Sequence, residues 1–327
     1  MPGTYTLKVD KAYHMDSETT VVVGEENVVQ DVTLILGSGD KQFKINSANL
    51  TINQDINVLY LTTVPAEFQN PYMEFEFDGK VYRVDAYSVD ASGRYGFTFR
   101  GINPQYMGEN IAATLYATAG AQQVSVSVPT YSVRQYCVNR LAKTTDPEFK
   151  TLLYDLLYYG EKAQIYTGHD TENLVTEGIE MHPSTFTTLD ESYYKQSLTG
   201  TKSDEARYSG ASLMMSNNIY LRFTVATENP SAYTYEITIN GRTTVFTAED
   251  LEVADNGKYY LCFRAIYANE FNDPITAVIK KDGAVIGQTL TYSVNTYIYN
   301  KQDRTDAFGE LLKAVYNYGN SAKLYAE

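Results

Sequence analysis

Tryptophan is absent from this 327-residue chain, and only 2 cysteines, 3 histidines and 9 prolines are present. His14, His169 and His182 lie far apart in sequence and read as solvated surface residues, not as ligands or bases. No Gly-x-Ser-x-Gly elbow, His-Glu-x-x-His helix, phosphate loop or dinucleotide-binding glycine motif occurs. Asp255-Asn256-Gly257 and Asp282-Gly283 look like fragments of calcium loops but lack the ligand series and the closing glutamate, so they read as hairpin turns. No Cys/His cluster has zinc spacing. The expectation is therefore no metal and no cofactor. Base is also short, with 26 Lys and Arg against 40 Asp and Glu for a net charge of −14. Such a surface repels phosphate backbones and anionic lipid heads, which argues against nucleic acid and membrane partners. No apolar run is long enough to span a bilayer. Met1-Pro2-Gly3-Thr4-Tyr5 does not begin a signal peptide, as expected if the chain is a piece of a longer protein.

What is present is tyrosine, 30 copies beside 13 Phe, within a composition that is 43% hydrophobic. That is globular, and the length has room for about two to three domains. An acidic, tyrosine-rich chain reads as an extracellular β-rich module, because tyrosine packs on half-buried pleated surfaces and keeps a polar tip for a wet one.

The chain also repeats itself. Phe97-Thr98-Phe99-Arg100 returns as Leu261-Cys262-Phe263-Arg264, and Tyr131-Ser132-Val133 as Tyr292-Ser293-Val294. Leu152-Leu153 with Tyr159-Gly160, Ala163 and Tyr166 returns as Leu311-Leu312 with Tyr318-Gly319, Ala322 and Tyr325, at an offset that stays within 159–164. A long unit present twice is a tandem domain pair, not a solenoid. A crevice between domains is a common place for a ligand. Cys137 falls opposite Ile298 and Cys262 opposite Thr98, so no disulfide was duplicated, and two separate buried thiols are expected.

The pattern along the chain gives four segments. In residues 1–38, short alternating runs at Tyr5–Val9 and Val28–Leu36 predict strands too few to bury a core, the remnant of an upstream β domain. Residues 39–168 form the first lobe. Asp78-Gly79 separates Tyr72–Phe77 from Lys80–Val84 as a two-residue hairpin, and further strands follow at Tyr95–Arg100, Ile111–Ala117 and Gln122–Val128. A short helix is expected at Tyr131–Lys143. A longer one begins at Asp146-Pro147, with Phe149, Leu152, Leu153, Leu156, Leu157, Gly160 and Ala163 on one stripe. Residues 169–204 connect the lobes and are expected to lie partly across one of them. Residues 205–327 repeat the plan, with Asn240-Gly241 as the hairpin turn and Phe308, Leu311, Leu312, Val315, Gly319 and Ala322 on the last helix. The expected fold is mixed and mainly β: two homologous lobes, each an antiparallel β-sandwich followed by a pair of helices. Retained glycines at 160 and 319, each about 1 kcal/mol worse than alanine in mid-helix, point to close helix packing.

The duplication sorts the aromatics. Rings kept in both copies are scaffold: Tyr95/Tyr259, Phe99/Phe263, Tyr131/Tyr292, Tyr136/Tyr297, Tyr159/Tyr318 and Tyr166/Tyr325. Rings present in one copy only were not needed for folding. Tyr72 faces Thr234, Tyr87 faces Glu249, Tyr106 faces Glu270, Tyr154 and Tyr158 face Lys313 and Asn317, Tyr260 faces Gly96, and Tyr267 faces Asn103; Tyr193 and Tyr194 have no counterpart. These nine are the candidate ligand-binding residues, since exposed aromatic faces stack on sugar rings while neighbouring polar groups fix the hydroxyls. The alternative is that they cover a lobe–lobe contact. Glu74, Glu76, Asp155, Glu161 and Glu310 read as solvated charge, not as a carboxylate pair for glycoside cleavage.

Arg94–Arg100, Ile111–Ala117, Tyr131-Ser132-Val133 with Tyr136-Cys137, and Leu152–Gly160 resemble a repeat module of secreted proteins of ruminococci and related gut Firmicutes, over residues 42–168 and again 205–327. Residues 2–36 resemble the end of a transthyretin-like domain that often precedes dockerins. The two-lobed plan is similar to the starch-binding module of amylosome starch-adherence proteins. That resemblance implies an extracellular, non-catalytic protein holding α-1,4-glucan in a groove between lobes. It also implies attachment to a cohesin-bearing scaffold through domains beyond these residues. Tyrosine at 106, 154 and 158 departs from the family's usual residues. A structural or adhesive spacer of a cell-surface complex with no glycan ligand is the alternative, and a glycoside hydrolase a minor third.

Overall fold

A computed structural model describes residues 1–52, 54–253 and 257–327, and it is mainly β, with antiparallel sheets in sandwich-like layers. The expected turn at Asp255-Asn256 lies outside the described residues. The chain divides into two compact units: Met1–Thr51, Asn57–Arg100 and Glu109–Val133 in one; Ile52–Ile56, Gly101–Gly108 and Arg134–Glu327 in the other.

The first unit opens with an isolated hairpin of β1 (Gly3–Val9) and β2 (Ser17–Val23), then a minimal one of β3 (Gly37–Ser38) and β4 (Lys41–Gln42). Residues 28–36, expected as a strand, are not one: only Leu36 bridges, to His14. Val29 is 89% exposed there, so the alternation has no sheet edge to pair with and no core to face. The sandwich follows, with β5 (Lys44–Ile52), β6 (Ile56–Thr63), β7 (Phe68–Phe77), β8 (Lys80–Val84), β9 (Ser88–Val89), β10 (Tyr95–Phe99), β11 (Ile111–Ala119) and β12 (Gln122–Tyr131). One sheet runs β5-β6-β10-β9 and the other β12-β11-β7-β8. Tyr60 on β6 meets Phe75 on β7 at 5.2 Å, and Phe99 on β10 meets Phe75 and Phe77 at 5.3 and 5.2 Å, so aromatic rings fill the space between the sheets. Asp78 and Gly79 take φ of 50° and 66° in the β7–β8 turn, the left-handed pair that a two-residue hairpin needs.

The second unit contains helices α1 (Val133–Leu141), α2 (Pro147–Thr167) and α3 (Glu191–Tyr194). Strands β13 (Ser197–Thr199), β14 (Ala206–Met215), β15 (Ile219–Thr227), β16 (Thr234–Ile239), β17 (Arg242–Phe246), β18 (Leu251–Val253), β19 (Tyr259–Phe263), β20 (Ile275–Lys281) and β21 (Ala284–Tyr292) come next, then α4 (Val294–Tyr299) and α5 (Ala307–Ala326). Sheets β14-β15-β19-β18 and β21-β20-β16-β17 repeat the two strand orders of the first unit. The one addition is β13, which pairs with the outer edge of β21. The helix expected from Tyr131 starts two residues later, because Tyr131 is still held in β12 opposite Ile111. Asp146 caps α2 by accepting from the amides of Glu148 and Phe149, with Pro147 in the first turn.

Helices α2 and α5 pack antiparallel, and their contacts are repeat-symmetric. Phe149 meets Tyr325 at 5.0 Å, its counterpart pair Phe308 and Tyr166 meet at 5.3 Å, and Tyr159 stacks on Tyr318 at 5.7 Å in the middle. Exchanging the copies maps each contact onto another, as in a twofold interface. A small cavity beside Tyr159 and Tyr318 has the same character, lined by repeat mates Gln54 and Asn217, Ile56 and Ile219. Each central glycine sits against a 3-10 turn: Gly160 at Pro104–Tyr106, Gly319 at Ala268–Glu270 with Phe271.

The connecting segment folds over this helix pair. Ser184 donates its amide and hydroxyl to Asp155, both at 2.7 Å, its carbonyl accepts from Asn317, and the Leu189 amide donates to Gln302 at 2.7 Å. Asp155, expected as solvated charge, is fully buried, because a partner remote in sequence supplies its hydrogen bonds. Burial raises its carboxyl above the ordinary value, more than the Ser184 bonds lower it. Both cysteines are free; Cys137 is buried as expected, whereas Cys262 is only half-buried, its thiol near Glu252 at 3.5 Å. Burial and then that carboxylate push the Cys262 thiol up to about 11. No helix among the described residues is long and apolar enough to cross a membrane.

Candidate tyrosine platform

In the first unit, strand alternation puts Tyr72 on the outward face of the β12-β11-β7-β8 sheet, while its neighbours Met73 and Phe75 are fully buried. Pairing of β11 with β7 places Tyr116 directly opposite. The two rings stack with centroids 4.9 Å apart and planes 9° from parallel. From the opposite neighbour, β8, Arg83 lays its guanidinium 3.7 Å from the Tyr72 centroid, and from β12 Gln123 donates to the Tyr72 hydroxyl at 2.7 Å. Arg83 is also bound to Asp85, at 2.7–3.2 Å; that bond is the main reason its pKa is raised. Burial and the adjacent Glu74 raise the Tyr116 phenol. Along the same face Thr114 and Ser127 are hydrogen-bonded at 2.9 Å. Two stacked rings, a guanidinium, a carboxamide and a row of hydroxyls thus share one solvent-facing surface.

The second sheet shows that the fold does not require this. Tyr72 and Tyr116 correspond to Thr234 and Lys280, which are likewise directly paired. Lys280 there forms an ion pair with Glu236 at 2.7 Å. An aromatic stack in one copy is an ordinary charge pair in the other. Sequence sorting found Tyr72 but missed Tyr116, Arg83 and Gln123; aligning Tyr116 on Lys280 would have exposed the first of these.

The other candidates are held differently. Tyr87 is 47% exposed and leans on Tyr95 and Phe97 at 4.8 and 5.6 Å. In the second unit Tyr106 meets His169 edge-on at 4.5 Å, and Tyr154 meets His182 at 5.5 Å, so these histidines serve as ring partners. Tyr158 carries Lys162 at 4.5 Å, Tyr260 carries Arg222 at 4.1 Å, and Tyr267 carries Arg242 at 4.9 Å. Each described ring therefore rests on a partner outside the set. The side chain of Tyr193 lies outside the described residues. Tyr194 borders a surface cleft with Lys195, Asn272, Pro274, Tyr292 and Thr296; burial and Tyr316 push its phenol up to about 12. Among the described residues no group of His, Cys, Asp and Glu converges as a metal site.

The chain matches no protein-family profile and no curated protein. Among solved structures it is similar to a Ca2+-stabilized adhesin that helps an Antarctic bacterium bind ice, at 11% identity and TM-score 0.20, over 89% of this chain and 55% of that one. It thus spans about half that protein's length. A bacterial ice-binding adhesin of 1.5 MDa overlaps at 11% identity and TM-score 0.18, over 77% of this chain and 65% of that one. Titin A168–A169 overlaps at 8% identity and TM-score 0.18, over 77% and 97%. Overlaps this small carry no argument about fold or role.

Proposed function

We propose that this chain is a non-catalytic carbohydrate-binding module of an extracellular protein, built as two homologous sandwich lobes with helices. Its ligand is a neutral polysaccharide, α-1,4-glucan first among them, and the surface that holds it centres on Tyr72 and Tyr116. The observation that carries this reading is the Tyr116–Tyr72–Arg83 stack with Gln123, kept on an exposed face in one copy and replaced by Thr234 and Lys280 in the other. Aromatic rings take the apolar faces of sugars, while amide, guanidinium and hydroxyl groups satisfy their hydroxyls. A net charge of −14 suits an uncharged glycan better than a polyanion. Attachment to a cohesin-bearing scaffold through further domains belongs to the same proposal.

Affinity electrophoresis in gels containing amylopectin, xylan or other neutral polysaccharides tests it. Retarded migration in at least one is expected; unretarded migration in all overturns it. Release of reducing sugar from the retained polysaccharide would instead reveal a hydrolase. One observation favours a second reading, a structural spacer without glycan ligand: Tyr106, Tyr154, Tyr260 and Tyr267 are occupied by partners within the chain, and Tyr72 itself is held by Tyr116 and Arg83. The spacer predicts no retention in any gel.

A further inference from the structure

The outer edge of β12 is open, and its chemistry differs from that of the other sheet edges. Its regular part, Gln122–Val128, carries no charged side chain in a chain that is 20% charged, while a register break and Pro129 protect only the end towards Tyr131. Other edges are defended. β8 carries Lys80 and Arg83, β17 carries Arg242, β5 carries Lys44, and β14 carries Arg207 and a bulge at Gly210; β9 is two residues long, and β18 three with a glutamate. Charge, irregularity and shortness are what keep exposed edges from pairing with other chains.

The repeat shows what belongs there. In the second unit the corresponding strand, β21, has its outer edge filled by β13, Ser197–Thr199, a short neutral segment in antiparallel register. Among the described residues no strand fills that place on β12. The consequence is visible in the layer beneath: core-facing Val124, Val126 and Val128 remain half-buried, whereas Ala113, Leu115 and Ala117 one strand inward are fully buried. A strand added at this edge would cover those valines and pair with the outward backbone groups of Gln122–Val128.

We infer that β12 pairs antiparallel with β12 of a second copy of this chain. The match is one of charge. Two molecules at −14 repel over most of their surfaces, but strands without charge meet at no local electrostatic cost. An antiparallel strand pair is also its own complement about a twofold axis, so the contact closes as a dimer instead of growing into a filament. Pro129 limits the contact at one end, since it has no amide hydrogen to offer a partner. Pairing would run the two outward faces together, with Gln123 of each copy extending a shared surface. The inference goes beyond the glycan reading and does not depend on it.

Sedimentation equilibrium of the intact chain from about 1 to 200 μM tests it. The expected result is a species of twice the 36.7 kDa chain mass in the wild type. Ser125→Lys with Ser127→Lys, which sets like charges against each other across the paired strands, should shift it to monomer throughout. Thr243→Lys, on the already charged edge β17, should leave the dimer intact. A wild type that is monomeric at every concentration overturns the inference. So does a dimer that the paired lysines leave unchanged, since association would then run through another surface. Ser125 stands opposite Tyr116 and Ser127 bonds Thr114 on the tyrosine face, so the lysine variant is read for assembly alone, and glycan retention is read in the wild type and Thr243→Lys.

Discussion

Alanine at Gly319 and at Gly160 should behave differently, although the two residues are repeat mates on paired helices. A Cβ built on Gly319 would lie 2.5 Å from Phe271 Cδ2 and 3.0 Å from Phe271 Cβ. Phe271 is buried and its ring stands edge-on to Tyr318 at 6.2 Å, so it has little freedom to retreat. Overpacking of this kind costs about 1–3 kcal/mol, while the gain in helix propensity from Gly to Ala is about 1 kcal/mol. With a clash near the severe end, Gly319→Ala should lose about 1–2 kcal/mol, roughly 3–6 °C in the melting temperature of a unit this size. At Gly160 the nearest atoms are Met107 Sδ at 3.0 Å, Val175 Cγ1 at 3.1 Å and the Pro104 carbonyl at 3.3 Å. Two of those are side-chain ends that can move by tenths of an ångström, so clash and propensity should cancel to within about 0.5 kcal/mol. Urea unfolding followed by circular dichroism reads both variants. Adding Phe271→Leu to Gly319→Ala should recover part of the loss, because the two sites are in contact. A Gly319→Ala protein as stable as wild type, or equal losses at both glycines, would refute the packing argument.

Two further variants probe buried polar groups. The Tyr60 hydroxyl is fully buried with no hydrogen-bond partner among the described residues, and the repeat places Phe223 at the matching position. An unpaired buried hydroxyl costs about 1–3 kcal/mol, so Tyr60→Phe should be neutral or up to about 1 kcal/mol more stable by urea unfolding; a loss beyond 1 kcal/mol would contradict this. At Asp155 burial raises the folded-state pKa, so the folded protein holds that proton more tightly than the unfolded chain. Its contribution is complete below the ordinary carboxylate pKa and falls as pH rises through the window up to the raised value. Asp155→Asn should flatten the stability profile there. Asp155→Ala, which orphans the Ser184 donors, should cost about 2–3 kcal/mol at neutral pH. Parallel pH profiles for wild type and Asp155→Asn would show that the carboxyl is not perturbed.

Local chemistry was readable in the sequence. Asp78-Gly79 and Asn240-Gly241 form the hairpin turns they spell, with Asn240 and Gly241 at φ of 48° and 74°. Asp146-Pro147 starts α2, and the retained glycines mark the close approaches beneath the helices. Tertiary partners were not readable. Val28–Leu36 alternates like a strand, yet only its end at Ile35 and Leu36 finds backbone partners, in Met15 and His14. Asp155 sits on a helix like a solvated acid, until a segment some 30 residues later closes over it. Tyr72 stood out because its counterpart is threonine, but the ring it stacks on comes from β11, more than 40 residues along. Alternation places a side chain on a face; only strand order names its neighbour.

The central claim concerns Tyr116 and Tyr72, and the most direct measurement is the retardation of Tyr116→Ala and Tyr267→Ala in the polysaccharide gel that retains the wild type. Tyr116→Ala should weaken retention at least tenfold, about 1.4 kcal/mol of binding free energy, while Tyr267→Ala, whose ring rests on Arg242, should migrate as wild type. Wild-type retention by Tyr116→Ala would contradict the assignment of glycan binding to this face.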